Sequence, residues 1–188
     1  MPHAGIAIPQ HIARDMTPQA LQRPDTDWHL PVLYAMAQAC GASVLSAQYM
    51  RYVIDLNRPP EDTNLYPGQD TTALCPLDTF AKQPIYQPGK IPGATEIQSR
   101  IARYWRPYHE KLQLELARIR AIHGVAVLWD AHSIASQVPR FFDGRLPDFN
   151  FGTADGQSCD MSLQQALAGT MHESPHATRY NHVFNGRF

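Results

Sequence analysis

The chain has 188 residues, of which 18% are charged and 44% hydrophobic, and its formal net charge is −1. A chain of this length predicts one domain that needs no disulfide, and the near-neutral charge argues against nucleic acid as a partner. No apolar run approaches the roughly 18 residues of a membrane-spanning helix, and no secretory signal is visible. The three cysteines form no CxxC pair, so we expect a cytoplasmic protein.

The first candidate elements precede residue 60. His3 stands on a turn in PHAGIAIP, where we would expect a strand to come before it. Asp27, in RPDTDWHLP, is predicted to cap a helix that ends at Gly41. Residues 42–48 are predicted to form the next strand, and residues 49–60 a further strand that runs into a turn.

The strongest helix follows a long loop over residues 59–94. Thr95 and Gln98 form a T-x-x-Q capping box at its start, and apolar residues then recur at steps of three or four. Pro107 is predicted to kink this helix, and Gly124 to end it. Its aromatic residues are assigned to core packing.

The next stretch, HGVAVLWDAHS, is the one around which the chain is organised. Its apolar run, residues 125–129, predicts a strand buried on both faces, as in a parallel or mixed sheet covered by helices. Asp130 and His132 then lie at the carboxyl end of the strand, where α/β sheets bind ligands. They are placed to hold a metal or to move a proton. The alternative is a capping aspartate beside an ordinary loop histidine.

The last third is rich in turn residues. It predicts a short strand over residues 148–151 and a helix over residues 161–171 with Asp160 as its cap. The final residues predict another strand, with a turn at Asn185 and Gly186.

Candidate metal ligands occur in three places: His3, the group Asp25, Asp27 and His29, and the pair Asp130 and His132. Two neutral imidazoles and one carboxylate, with one position open to water, make a hydrolytic zinc site. The sequence contains no HExxH, so spacing alone is weak support. For Asp25 and Asp27, helix capping is the alternative role.

A cationic pair lies nearby. Arg51 and Arg58 stand on either side of the apolar VIDL segment. Guanidinium groups bind carboxylates through two parallel hydrogen bonds and stabilise oxyanions. The alternative is that both are solvated surface arginines.

Several blocks together resemble one family. They are PHAG, PDTDWH, SAQYMRYVIDLNRPPEDTNLYPGQ, RYWRPYH, VLWDAHS, VPRFFDGRLPDFNFGTADGQSC and NGRF, and they span nearly the whole chain. The chain resembles the N-formylglutamate deformylase (N-formylglutamate amidohydrolase) family. The resemblance implies hydrolysis of N-formyl-L-glutamate to formate and L-glutamate, a step of histidine degradation. It also implies an α/β fold like that of zinc carboxypeptidases, a central mixed β-sheet flanked by helices.

The resemblance also implies residue roles. His3 and His132 match metal ligands, and the cofactor would be Zn²⁺. The acidic ligand lies in PDTDWH, where we choose Asp27 over Asp25 because Asp27 stands directly before the predicted helix.

For the substrate, a small molecule, the resemblance implies that Arg51 polarises the scissile carbonyl. Asn57 and Arg58 would hold one substrate carboxylate, and Arg187 in NGRF is the candidate for the second.

Family members continue past NGRF, where their general-base glutamate lies. We therefore expect residues 1–188 to be a single domain truncated at both ends, slower than a full-length relative. Two alternatives remain. One is a remnant that binds acidic N-acyl amino acids without turnover, and the other is a cysteine amidase that uses Cys159.

Overall fold

A computed structural model describes residues 1–63, 70–172, 174–182 and 184. The described helices are α1 (Gln10–Ala13), α2 (Leu30–Leu33), α3 (Ala94–Arg100), α4 (Arg106–His123) and α5 (Met161–His172), with a 3-10 turn at Ala20–Gln22 and a π-helical turn at Ile101–Trp105. The described strands are β1 (Phe149–Phe151) and β2 (Thr178–Tyr180). The fold thus mixes helices and strands. Across these ranges, no helix is long and apolar enough to cross a membrane.

The chain divides into two compact units. The first contains Met1–Asn64 and Thr71–Ile134, and the second contains Leu65–Asp70 and Ala135–Phe188. Every candidate metal ligand belongs to the first unit.

A buried segment, residues 50–56, forms the centre of the first unit. Three of its residues, Met50, Tyr52 and Val53, pack with Ile12 and other apolar side chains in one cluster. The remaining apolar members of the segment contribute to a second cluster, against which the helical residues 97–108 pack. Because both clusters include residues of this segment, its polar residues are buried with it.

The N-terminal residues lie alongside the chain that leads into this segment. The Met1 amino group donates to the Leu45 carbonyl at 3.0 Å, and Ala7 forms an isolated parallel bridge with Tyr49. Gly5 allows this close approach, because a Cβ atom there would overlap the backbone of Gln48 and Tyr49. The glycine of PHAG therefore lets His3 lie against the buried segment.

The predicted long helix is confirmed, with one correction at its start. Helix runs from Ala94 through the π-helical turn to His123, and Gly124 ends it in the left-handed conformation at φ 77°. The π-helical turn ends two residues before Pro107, close to the predicted kink. The prediction of a capping box at Thr95 and Gln98 is wrong. Helix α3 begins one residue earlier, with Gly93 as its N-cap, so Thr95 lies inside the first turn and makes no cap.

The predicted buried strand at residues 125–129 is also wrong. Val125, Val127, Leu128 and Trp129 are 50–63% exposed, and no described strand pairs with them. A strand requires ladder hydrogen bonds from a neighbour, and an apolar run alone does not supply them.

Two other predictions before residue 60 need correction. Helix α2 ends at Leu33, and the chain turns from there to Gly41 instead of continuing as helix. Val32, Leu33 and Met36 are 62–78% exposed, so no buried face stabilises a longer helix. Residues 42–48 and 49–60 form no described strand. Backbone bonds to the N-terminal residues produce only an isolated bridge between Ala7 and Tyr49, and local turns such as Val53 N–H to the Met50 carbonyl follow.

The second unit agrees with its predictions. Strand β1 pairs in parallel with β2, with Asn150 opposite Arg179. Helix α5 begins after Asp160, whose carboxylate accepts hydrogen bonds from the backbone and the hydroxyl of Ser162. The turn predicted at Asn185 and Gly186 lies outside the described residues.

Candidate metal centre

Three side chains that are far apart in sequence lie together in the first unit. Each of His3, Asp27 and His132 offers one ligand atom, and these atoms all lie within 4.8 Å of one another. His3 and Asp27 are buried, whereas about a third of the His132 side chain is exposed. Two imidazoles and a carboxylate, open to solvent on one side, match the donor set of a hydrolytic zinc site.

His3 is fixed by a carboxylate beneath it. Its Nε2 atom lies 2.7 Å from Asp55 Oδ1, and both side chains are buried. Its Nδ1 atom is buried without a hydrogen-bond partner and lies 4.0 Å from Asp27 Oδ2. A proton on Nε2, held by Asp55, leaves a lone pair on Nδ1 directed into the cluster. Burial and the nearby Arg51 cation lower the pKa of His3, so this ring is neutral at pH 7, as a ligand requires.

The structure distinguishes the two neighbouring aspartates. Asp27 Oδ2 lies 3.0 Å from His132 Nδ1 and accepts the Ser133 backbone N–H at 3.2 Å. Asp25 instead accepts the Tyr52 hydroxyl at 2.6 Å and the Phe80 N–H at 2.8 Å. Asp25 is thereby engaged in the packing of the unit, and Asp27 is the acid that belongs to the cluster. Asp27 does not cap α2, whose N-cap is the left-handed residue His29.

His132 lies between two carboxylates. Its Nδ1 faces Asp27, and its Nε2 lies 3.0 Å from Asp130 Oδ2. Burial lowers the pKa of His132, but the hydrogen bonds to Asp130 and Asp27 outweigh this effect and raise the pKa to about 9. The ring is therefore protonated at pH 7 and donates to both acids.

Metal binding at this cluster should release a proton. A ligand imidazole must give up the proton on its ligand nitrogen, and the raised pKa of His132 means that this proton is present at pH 7. We expect about one proton released per zinc bound at pH 7, and weaker zinc binding as the pH falls further below 9. Calorimetry in buffers of different ionisation enthalpy measures this number, and a value near zero would contradict the assignment of His132.

Arg51 is tied to the same carboxylate as His3. Its guanidinium donates to Asp55 Oδ2 at 2.7 Å and lies over the Phe80 ring, 4.8 Å from the centroid. Burial opposes the charged carboxylate, but His3 and Arg51 hold the pKa of Asp55 well below its usual range. Asp55 therefore remains ionised beneath the candidate site.

A tight turn follows this aspartate. The Asp55 carbonyl accepts the Arg58 N–H at 3.2 Å, and its carboxylate accepts the Asn57 N–H at 2.9 Å. Aspartate favours the first position of such turns because its side chain can bond the backbone two residues on. The turn brings Asn57 Nδ2 to 3.5 Å from His132 Nε2, so Asn57 borders the cluster.

Two other candidates come from the last third of the chain. Arg187 lies outside the described residues. Cys159 belongs to the second unit, where its Sγ lies 3.5 Å from the Asp160 carbonyl.

Three residues that contact the candidate site or its adjoining turn are not predicted from the sequence. Asp55 is the one acid in the apolar VIDL run. An acid in such a run indicates a buried carboxylate, which requires partners, and this pattern could have identified Asp55. Trp105 and His109, in RYWRPYH, were assigned to packing or not singled out, yet both reach the turn at residues 55–58. No local pattern indicated that contact.

The chain matches the family model described as N-formylglutamate amidohydrolase over residues 1–188. It is 48% identical to N-formylglutamate deformylase of Pseudomonas putida and 47% identical to that of Pseudomonas aeruginosa, in both cases over 100% of this chain and 69% of the relative. The crystal structure of N-formylglutamate amidohydrolase from Ralstonia eutropha JMP134 superposes with a TM-score of 0.79 at 26% identity, covering 98% of this chain and 71% of that one. A protein of Agrobacterium tumefaciens, 21% identical, shares the fold with a TM-score of 0.69 over 95% of this chain and 66% of that one.

Proposed function

The chain belongs to the N-formylglutamate amidohydrolase family, and from this we propose that it hydrolyses the formamide bond of N-formyl-L-glutamate to formate and L-glutamate. The observation that supports this most is the meeting of His3, Asp27 and His132 within 4.8 Å. These residues lie in three separate blocks of the sequence, and their side chains form a donor set suited to hydrolysis.

We further propose that this cluster holds Zn²⁺. The buried, unpartnered Nδ1 of His3 fits a metal, because such an atom otherwise loses the hydrogen bond it had in water. Zinc bound there would polarise the formyl carbonyl and lower the pKa of a water molecule. Asp55 and Asp130 hold the Nε2 atoms of His3 and His132, which fixes the rings with Nδ1 directed at the ion.

In this proposal the substrate is bound by the adjoining turn. Arg51, held by Asp55, would donate to the formyl oxygen as negative charge develops on it. Asn57 and Arg58 would bind one carboxylate. Arg58 Nε is buried without a partner in the structure, which suits a donor awaiting an anion. Arg187 remains the candidate for the second carboxylate.

Replacement of Arg58 by lysine should weaken substrate binding more than it lowers stability. Lysine keeps the charge but loses the planar fork that pairs with a carboxylate. We expect KM for N-formyl-L-glutamate to rise by about tenfold, the effect of losing roughly 1.4 kcal/mol of binding. Steady-state formate release measures it. Arg106→Lys, at an exposed position on α4, is the matched control and should leave KM unchanged. An unchanged KM for Arg58→Lys would show that Arg58 is structural or solvated.

We also propose that the fold is of the zinc-carboxypeptidase type, with a central mixed sheet. Within the first unit, a parallel bridge between Ala7 and Tyr49 and an antiparallel bridge between Met16 and Tyr86 support this.

The direct test of the reaction is formate release from N-formyl-L-glutamate by the zinc-loaded chain. N-formyl-L-norleucine, which has an apolar chain in place of the side-chain carboxylate, is the matched substrate control. We expect release from the first and much less from the second. Tight binding of N-formyl-L-glutamate without formate would favour a binding protein for acidic N-acyl amino acids.

A further inference from the structure

Two ring side chains on the long helix reach the backbone of the turn at residues 55–58. The Trp105 indole N–H donates to the Arg58 carbonyl at 2.9 Å, and His109 Nε2 lies 2.9 Å from the Leu56 carbonyl. A carbonyl only accepts, so His109 must donate from Nε2. The two bonds engage the carbonyls on either side of Asn57.

The two rings also support each other. Trp105 and His109 are four residues apart, and their rings stack with centroids 3.8 Å apart and planes inclined by 26°. Trp105 is the last residue of the π-helical turn, and His109 lies in the first turns of α4. π-helical turns occur often at functional sites. The stacked pair therefore holds two N–H donors on the helix, and both donate to carbonyls of the turn at residues 55–58.

The turn itself is constrained from its other side by Asp55. That carboxylate accepts the Asn57 N–H, while the Asp55 carbonyl accepts the Arg58 N–H. Asp55 thus fixes the amide groups of the turn, and the helix fixes its carbonyls. Four hydrogen bonds therefore hold the backbone on both sides of Asn57 from two directions.

We infer that Trp105 and His109 are positioning residues, which hold the turn so that Asn57 and Arg58 present a preformed site to a carboxylate of the substrate. This inference rests on the proposed roles of Asn57 and Arg58. Neither ring needs to touch the substrate. Holding a binding group in its bound geometry strengthens binding by reducing the ordering that binding requires.

The test is a double-mutant cycle with L-glutamate, the product, as the probe, because it has both carboxylates and is not turned over. Trp105→Phe keeps an aromatic ring but removes the N–H. We expect it to weaken L-glutamate binding by about fivefold to tenfold, measured by calorimetry, with zinc affinity unchanged. Combined with Arg58→Lys, the loss should be clearly smaller than the product of the two single losses, since both act through one contact.

Two matched controls separate positioning from folding. Trp129→Phe also removes an indole N–H, one that donates to the Tyr34 hydroxyl, and should bind L-glutamate like the wild type. His109→Gln retains a donor and should keep more affinity than His109→Leu, which has none. If Trp105→Phe does not fold, the comparison of His109→Gln with His109→Leu still provides the test.

Wild-type affinity in Trp105→Phe, or losses that multiply in the double variant, would overturn the inference. A wild-type chain that binds L-glutamate but releases no formate from N-formyl-L-glutamate would contradict the proposed reaction alone, and the cycle would still decide the role of the two rings. A wild-type chain without affinity for L-glutamate would overturn the inference.

Discussion

Replacement of His132 by alanine is expected to abolish stoichiometric zinc binding. The variant removes one of only two imidazoles in the cluster and leaves His3 and Asp27, too few protein ligands for a zinc site. The loss should exceed the roughly 10–100-fold that is typical when only the hydrogen-bond partner of a ligand is removed. Zinc per chain after dialysis, measured by atomic absorption, gives the result.

Stability provides a second readout for the same variant. About a third of the His132 side chain is exposed, so its removal should not unfold the metal-free protein. His123→Ala, at the exposed end of α4, removes another imidazole and should retain full zinc. If His132→Ala bound one zinc per chain as tightly as the wild type, the cluster would not be the metal site.

Replacement of Asp55 by asparagine should have the second large effect. The variant keeps the shape but removes the charge that faces both His3 and Arg51. Arg51 would then be buried without its ion-pair partner, and breaking a buried pair in this way costs about 3–5 kcal/mol. Because Asp55 also holds the Nε2 proton of His3, zinc affinity should fall by about 10–100-fold.

The pH dependence of unfolding tests the same residue. The pKa of Asp55 is held well below its usual range in the folded chain, so its contribution to stability is fully present above the unfolded pKa and is lost as the pH falls through the folded one. Urea unfolding of the metal-free wild type should therefore show stability falling below about pH 4, and Asp55→Asn should show a shallower fall, because Asp27, whose pKa is also lowered, still contributes.

Glu115→Gln is the matched control, since Glu115 also pairs with an arginine, Arg118, but at the surface. Its unfolding at neutral pH should differ little from the wild type. An Asp55→Asn variant as stable as Glu115→Gln, with wild-type zinc affinity, would show that Asp55 is not the anchor of the site.

Local patterns in the sequence predicted the elements that depend on local interactions. The helix over residues 94–123 has apolar side chains at helical spacing and a glycine at its end, and Asp160 bonds the first turn of α5. Helical spacing and capping depend only on residues that are close in sequence. The apolar run at 125–129 is different, because a strand depends on partners elsewhere in the chain.

The residues of the candidate site show the same difference between local sequence signals and contacts with distant residues. His3, Asp27 and His132 were selected through the sequence blocks that contain them, and the structure brings these three side chains together. The partners behind them were not predicted. Asp55 lies 52 residues from His3, and its hydrogen bond to that ring leaves no local pattern in the chain. Only the folded chain reveals contacts of this kind.

We propose that deformylation depends on one zinc ion held by His3, Asp27 and His132. The most direct measurement is the rate of formate release from N-formyl-L-glutamate as zinc is titrated into chelator-treated protein. We expect no release without metal, and a linear rise that ends at one zinc per chain and is absent in His132→Ala. A full rate in the metal-free protein, or a wild-type response in His132→Ala, would contradict this proposal.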